Sequence, residues 1–173
     1  MKQTELKLTG SGGQGLITAG VILAEAGMLD GKQVIQSQSY GPEARGGASK
    51  AEVIISEKPI DFIKVQNCDM LLCLTQAAYD RYGKDFTKLL IIDDRINLKY
   101  PEPEKVVKIP VLNSAADKFK KPMVANIIAL GAVNGVMNLV SKNALSMAVL
   151  KRVPKGTEDL NKRALEEGYA LVN

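Results

Sequence analysis

The chain has 173 residues, 46% hydrophobic but only 5% aromatic and without tryptophan, and carries a formal net charge of +4. That length supports a sizeable core, here of Ile, Val, Leu, Ala and Met, the usual filling of a parallel sheet covered by helices. Histidine is absent, which excludes Ser-His-Asp and Cys-His catalysis, the commonest metal ligand and the usual general base near neutral pH.

In chain order, the strand-like run Glu5–Thr9 leads into Gly10-Ser11-Gly12-Gly13-Gln14-Gly15, and the helical stretch Leu16–Ala26 follows. Gly10, Gly12 and Gly15 fit the pattern G-x-G-x-x-G in the strand–turn–helix setting that gives it meaning. Such a turn needs glycine for positive φ or close backbone approach, and the helix start offers free N–H groups to an anion. Gly10, Gly12, Gly13, Gln14 and Gly15 are therefore candidate cofactor contacts. The acid that binds ribose hydroxyls at the end of the second strand is missing, because that strand reads Gln33-Val34-Ile35-Gln36-Ser37-Gln38. Two readings stay open for the turn: a phosphate cradle of a stand-alone dinucleotide-binding protein, or a tight βα turn packing helix on sheet without ligand.

A second glycine-rich segment follows, Ser39-Tyr40-Gly41-Pro42-Glu43-Ala44-Arg45-Gly46-Gly47, which a nucleotide-binding domain does not usually carry. Ala48–Ile55 alternates as a half-buried strand, and Pro59 closes it. Asp69–Leu74 and Lys88–Asp93 are short continuous apolar runs, as in strands buried on both faces. A helix is expected over Gln76–Tyr82, and a last strand over Val106–Val111. Cys68 and Cys73 lie five apart, a spacing that points them to opposite faces of a strand; they read as buried free thiols, with no ligand set for a metal or cluster.

From Ser114 the period is helical. Ser114 is expected to cap a helix containing Ala115, Ala116 and Phe119. The longest helix is expected over Pro122–Val140, apolar nearly all round and rich in small residues. A helix of that kind is buried on most sides, so Gly131 and Gly135 are candidate contacts with another subunit. Two shorter helices should follow, around Ala144–Arg152 and Thr157–Gly168. No segment resembles a signal peptide, and no apolar run approaches the roughly 20 residues that span a bilayer. The reading is a cytoplasmic protein of one domain, residues 1–173. Its expected fold class is α/β, a Rossmann-like doubly wound, largely parallel sheet with helices on both faces. Residues 105–173 carry 11 basic and 5 acidic side chains. Without interleaved aromatics, that excess suits solvated helix ends or an acidic partner better than nucleic acid.

With both glycine segments in order, the chain resembles the gamma subunit of 2-oxoacid:ferredoxin oxidoreductases. Those subunits carry a GxGGQG turn and then a loop of the form SYGPExRGG, matched here by Gly10–Gly15 and Ser39–Gly47. The wording of Gln36–Gly47 is closest to the 2-oxoglutarate type, while pyruvate and branched-chain types share much of it. The resemblance implies a component of a complex that converts a 2-oxoacid and coenzyme A to acyl-CoA, CO2 and reduced ferredoxin. It implies thiamine diphosphate, Mg and iron–sulfur clusters in alpha, beta and ferredoxin-like delta subunits, with no catalytic or metal residue in this chain. Self-association is expected as well. By the same resemblance the chain lies beside the active centre and caps the coenzyme A entry. Tyr40, Glu43 and Arg45 become candidate interface residues, and Arg45 is also a candidate phosphate contact. Arg45 could equally order its loop through Glu43 or Glu52.

Overall fold

In the computed structural model, residues 3–39, 48–99 and 106–173 are described. They build around one six-stranded sheet of order β2-β3-β1-β4-β5-β6. The strands are β1 (Gln3–Ser11), β2 (Gln33–Gln38), β3 (Ala48–Ser56), β4 (Met70–Cys73), β5 (Leu89–Asp93) and β6 (Val106–Ile109). β1, β4, β5 and β6 pair in parallel, while β3 runs antiparallel to both β1 and β2. The sheet is mixed but mostly parallel, as expected, and β3 is its one reversed strand. Period-two alternation reveals which side chains face the core but not which way a strand runs.

The helices are α1 (Leu16–Leu29), α2 (Gln76–Tyr82), the short α3 (Val111–Asn113), α4 (Ala125–Met137), α5 (Lys142–Arg152) and α6 (Glu158–Ala170). They lie unevenly on the two faces. Leu6, Leu8, Met70, Leu72, Leu89 and Ile91 point into the larger core beneath α1, α4, α5 and α6. Leu71, Cys73, Leu90 and Ile92, their alternates, point to a smaller core under α2. This explains why β4 and β5 read as unbroken apolar runs: each is buried on both faces.

Local chemistry sets the helix ends. Thr75 accepts the N–H of Ala78 at the start of α2, and Ser141 accepts that of Ala144 at the start of α5. Asn138 ends α4 in the left-handed conformation, with its N–H donating to the Asn134 carbonyl at 2.8 Å.

Four expectations need correction. Ser114 is no N-cap: α3 has already begun at Val111 and runs into a π-helical turn, Ser114–Lys118. Pro110 ends β6 instead of lying inside it. The helix expected over Pro122–Val140 is a 3-10 turn, Pro122–Val124, and then the 13 residues of α4, so the 14-residue α1 is longer. Cys68 and Cys73 share the smaller core, because Cys68 lies before β4 begins and strand alternation does not reach it.

The nearly all-apolar surface of α4 is covered within the chain, chiefly by α6. A β-carbon on Gly131 would lie 2.2 Å from the Leu165 carbonyl oxygen, and one on Gly168 would lie 2.1 Å from that of Ile128. Two glycines thus let the α4 and α6 backbones touch. Asn134 joins the same contact, donating to the Tyr169 hydroxyl at 2.9 Å and to the Val140 carbonyl at 3.0 Å. Gly131 is buried against α6, whereas Gly135 is exposed beside Val172.

Candidate functional site at the glycine turn

β1 ends at Ser11, so the glycine turn lies at the carboxyl edge of the parallel strands, where open α/β sheets bind ligands. Gly13 has φ 86° and Gly15 φ 73°, a region that L side chains enter only with strain. Gly15 is also the N-cap of α1, which has no side-chain cap. The turn is pinned from a distance: Asn126, at the start of α4, donates to the Gly15 carbonyl at 3.1 Å. A β-carbon on Gly15 would sit 2.6 Å from Asn126 Nδ2.

Inside the turn, Gln14 folds back. Its Oε1 accepts the N–H of Ser11 at 2.8 Å, and its own N–H donates to the Ser11 carbonyl at 3.4 Å. That carboxamide lies over Gly10, where a β-carbon would be 2.3 Å from Oε1 and 2.7 Å from Leu16 Cδ1. Of the candidates read from sequence, Gly10, Gln14 and Gly15 therefore come together as a self-filled turn, and Gly12 and Gly13 are exposed at its tip. Asn126 was missed. At 111 residues' separation, no local pattern marks it.

The neighbouring strand ends are also tied off. The Leu74 N–H donates to the Thr9 carbonyl at 3.0 Å, and the buried Thr9 hydroxyl donates to the Leu72 carbonyl at 2.6 Å. At the end of β5, the buried Asp93 carboxylate accepts the Leu112 N–H at 2.9 Å and the Arg95 Nε at 2.9 Å. A cavity of about 180 Å³ opens beside the first turn of α1, with Thr18, Met123, Asn126 and Asn161 in its wall. A larger groove, about 950 Å³, lies between Phe119 and α6, lined by charges of both signs.

Topology bears on the dinucleotide alternative. β3 lies between β1 and β2, so the second strand is displaced by a full strand from the turn. β2 also ends short: Gln38 pairs with Ala51, while Ser11 pairs with Ala48. A ribose-binding acid on β2 would have the wrong place as well as being absent.

Both thiols are buried and held away from ionisation. Burial pushes each of Cys68 and Cys73 up to about 12, and Cys68 Sγ donates to the Met70 carbonyl at 3.0 Å. Cluster ligation needs thiolates, so these residues do not fit that chemistry. No group of three or more His, Cys, Asp or Glu that could hold a metal exists among the described residues. No helix among them is long and apolar enough to cross a membrane. Tyr40, Glu43 and Arg45 lie outside the described residues. Of the alternative partners for Arg45, Glu52 is described: it pairs with Lys50 at 2.8 Å and accepts from the Ser37 hydroxyl at 3.4 Å.

Residues 5–171 match the family Pyruvate ferredoxin/flavodoxin oxidoreductase. The chain belongs to that family. It is 50% identical over 174 residues to the 2-oxoglutarate synthase subunit KorC of Methanocaldococcus jannaschii, covering 97% of this chain and 93% of that one. The crystal structure of the keto/oxoacid ferredoxin oxidoreductase gamma subunit from Geobacter sulfurreducens superposes with TM-score 0.90 at 44% identity, over 99% of this chain and 97% of that one. A 2-oxoglutarate:ferredoxin oxidoreductase from Magnetococcus marinus, solved with 2-oxoglutarate, coenzyme A and succinyl-CoA bound, shares the fold. Its TM-score is 0.87 at 23% identity, over 99% of this chain and 31% of that longer one. Within the Pyruvate ferredoxin/flavodoxin oxidoreductase family, this chain is a homologue of the KorC gamma subunits.

Proposed function

We propose that this chain is the gamma subunit of a 2-oxoglutarate:ferredoxin oxidoreductase complex. Such a complex carries out the coenzyme A-dependent oxidative decarboxylation of 2-oxoglutarate to succinyl-CoA and CO2, with ferredoxin as acceptor. The observation that carries this reading is the 50% identity over nearly the full length to a 2-oxoglutarate synthase subunit. Identity to the pyruvate synthase subunit PorC of Methanothermobacter marburgensis is 30%. That gap favours 2-oxoglutarate as the oxoacid.

The chain's own chemistry suits a supporting part. Its turn is filled by its own Gln14, its thiols are protonated, and it has no histidine to move a proton. Thiamine diphosphate, Mg and the iron–sulfur clusters belong in this reading to alpha, beta and delta partners. β2 ends and β3 begins at the same sheet edge as the glycine turn. In this reading Arg45 would grip a coenzyme A phosphate or a partner carboxylate through its planar fork.

The test compares the isolated chain with the chain co-expressed with its partners. The isolated chain should not reduce a dye acceptor with 2-oxoglutarate, thiamine diphosphate and coenzyme A. The complex should, with a higher kcat/KM for 2-oxoglutarate than for pyruvate. Turnover by the isolated chain would overturn the supporting role, and a preference for pyruvate would overturn the substrate. Arg45→Ala should raise the KM for coenzyme A or weaken assembly; a complex with unchanged assembly and coenzyme A kinetics would make the loop purely structural.

A further inference from the structure

The sheet ends in two edges that are built differently. β6, at one edge, has only 4 residues, carries the exposed Lys108 among them and is stopped by Pro110. A short strand, a lysine and a proline are devices that keep an edge from pairing with another chain. β2, at the other edge, has 6 residues, Gln33-Val34-Ile35-Gln36-Ser37-Gln38, with no charge and no proline. None of those devices is present there.

The register fixes which groups of β2 are free. β2 pairs antiparallel with β3, Gln38 against Ala51, and the next residue, Ser39, donates its N–H to the Lys50 carbonyl. Opposed residues of an antiparallel pair exchange bonds at alternate positions, so Gln33, Ile35 and Ser37 direct their backbone groups to β3. On the far side of β3, the carbonyls of Glu5 and Thr9, opposite Ile54 and Lys50, turn away to the N–H groups of Asp69 and Leu74, as the same alternation requires. Val34 and Gln36 therefore point N–H and C=O out of the sheet, where no described strand meets them. Their side chains lie on the α1 side, with Val34 packed on the larger core. Ile35 faces the other way, opposite Ile54, and belongs to neither core. It is half-buried, with Ile54 on one side and no strand on the other.

We propose that β2 pairs with β2 of a second copy of this chain, antiparallel about a two-fold axis at Ile35, so that two sheets become one. Val34 and Gln36 of each chain then exchange bonds with Gln36 and Val34 of the other, which satisfies every outward group of the two residues. Ile35 meets Ile35 at a non-hydrogen-bonded position, with Cα atoms about 4.5 Å apart, where cross-strand side chains lie closest. A slip of the register would set Ile35 against Ser37 or Gln33 and lose the apolar match. Lys32, the charge adjoining β2, falls opposite Gln38, so no like charges meet along the strand. A foreign strand would have to supply an apolar residue at that one position; β2 supplies it to itself.

The pairing requires neither other subunits nor substrate, so it is tested on the full chain alone, and its failure leaves the complex reading untouched. Sedimentation velocity at micromolar concentration should show a dimer. Ile35→Cys should form an intermolecular disulfide under mild oxidation, because the opposed positions lie within the Cα separation that a disulfide spans. Gln33→Cys, which faces Ser37 across the axis, should not. The native thiols Cys68 and Cys73 are buried and do not compete. Ile35→Lys should weaken the dimer by about tenfold or more, an effect that grows as salt is lowered. Gln36→Pro removes an outward N–H and none of the bonds to β3, so it should give a monomer with the native circular dichroism spectrum, and it decides the matter if Ile35→Lys does not fold. A monomeric wild type, a dimer that survives both substitutions, or a Gln33→Cys chain that cross-links as readily as Ile35→Cys would overturn the proposal. In the co-expressed complex, a benzophenone amino acid at position 35 that cross-links only to another subunit would overturn the second copy as occupant.

Discussion

The carboxamide oxygen of Gln14 accepts the N–H of Ser11 at 2.8 Å and occupies the space a β-carbon on residue 10 would need, 2.3 Å away. The glycines of this turn thus answer to groups of the chain itself. Gly10 makes room for Gln14 and Leu16, Gly13 supplies a positive φ, and Gly15 supplies both a positive φ and room for Asn126. Two of the three glycines of the G-x-G-x-x-G pattern, Gly10 and Gly15, are accounted for by contacts within the chain.

That relationship predicts coupling. Gly10→Ala should destabilise the chain by roughly 1–3 kcal/mol through overpacking. Gln14→Ala, which removes one half-buried hydrogen bond, should cost about 1 kcal/mol. Together they should cost less than the sum, because truncating Gln14 removes one of the two clashes facing the new methyl group. Urea unfolding of the four proteins measures this, and strict additivity would show that Gln14 does not fill the turn.

The α4–α6 contact separates two glycines that look alike in sequence. Gly168→Ala places its β-carbon against backbone atoms on α4, 2.1 Å from the Ile128 oxygen and 2.8 Å from Gly131 Cα. Neither can yield without parting the helices, so the cost should reach or exceed the upper end of roughly 1–3 kcal/mol for overpacking. Gly135→Ala meets first the Val172 Cγ2, at 2.6 Å, a side chain near the carboxy terminus that can turn aside. A gain of about 1 kcal/mol in helix propensity offsets that adjustment, leaving stability nearly unchanged. Equal shifts in thermal midpoint for the two variants would contradict this ranking.

Much of the scaffold was legible in the sequence. β2 and α2 begin and end where the sequence reading put them, at Gln33–Gln38 and Gln76–Tyr82. Unbroken apolar runs identified β4 and β5 as doubly buried. What was not legible depends on long-range pairing. The direction of β3 is fixed by strand partners, the coverage of α4 by two glycines 37 positions apart on different helices, and the anchoring of Gly15 by a distant asparagine. The turn's residues were found but its filling was not, because a glutamine that folds back looks, in sequence, like one that reaches for a ligand.

A pH dependence follows from α1 and α5. The Arg152 guanidinium, with Lys151 beside it, holds the Glu25 carboxyl at about 2, below its ordinary 4.5. A depressed carboxyl pKa contributes stability that is present above 4.5 and lost as pH falls from there through about 2. Because Lys151 and Arg152 are largely exposed, solvent screening limits the contribution to roughly 1 kcal/mol. Glu25→Gln should therefore lower stability by that amount at pH 7 and by progressively less toward pH 2. If denaturant unfolding showed the difference to be constant across that range, the ion pairs would have no stabilising part.

The two thiols report on the core from within. Burial raises Cys68 and Cys73 to about 12, so their thiolate fraction near pH 8 is roughly a thousandfold below that of an ordinary thiol of pKa about 8.5. Neither side chain is accessible to reagent in the folded chain. Labelling by a thiol reagent must then wait for opening, and under fast reclosing its rate tracks the population of the open form. The native chain should label very slowly at pH 8, and the denatured chain should react rapidly at both thiols. Gly168→Ala should accelerate native labelling by the factor that its measured loss of stability demands, if opening is global. Rapid labelling of either thiol in the native wild type would show that the smaller core under α2 opens on its own, independently of the α4–α6 contact.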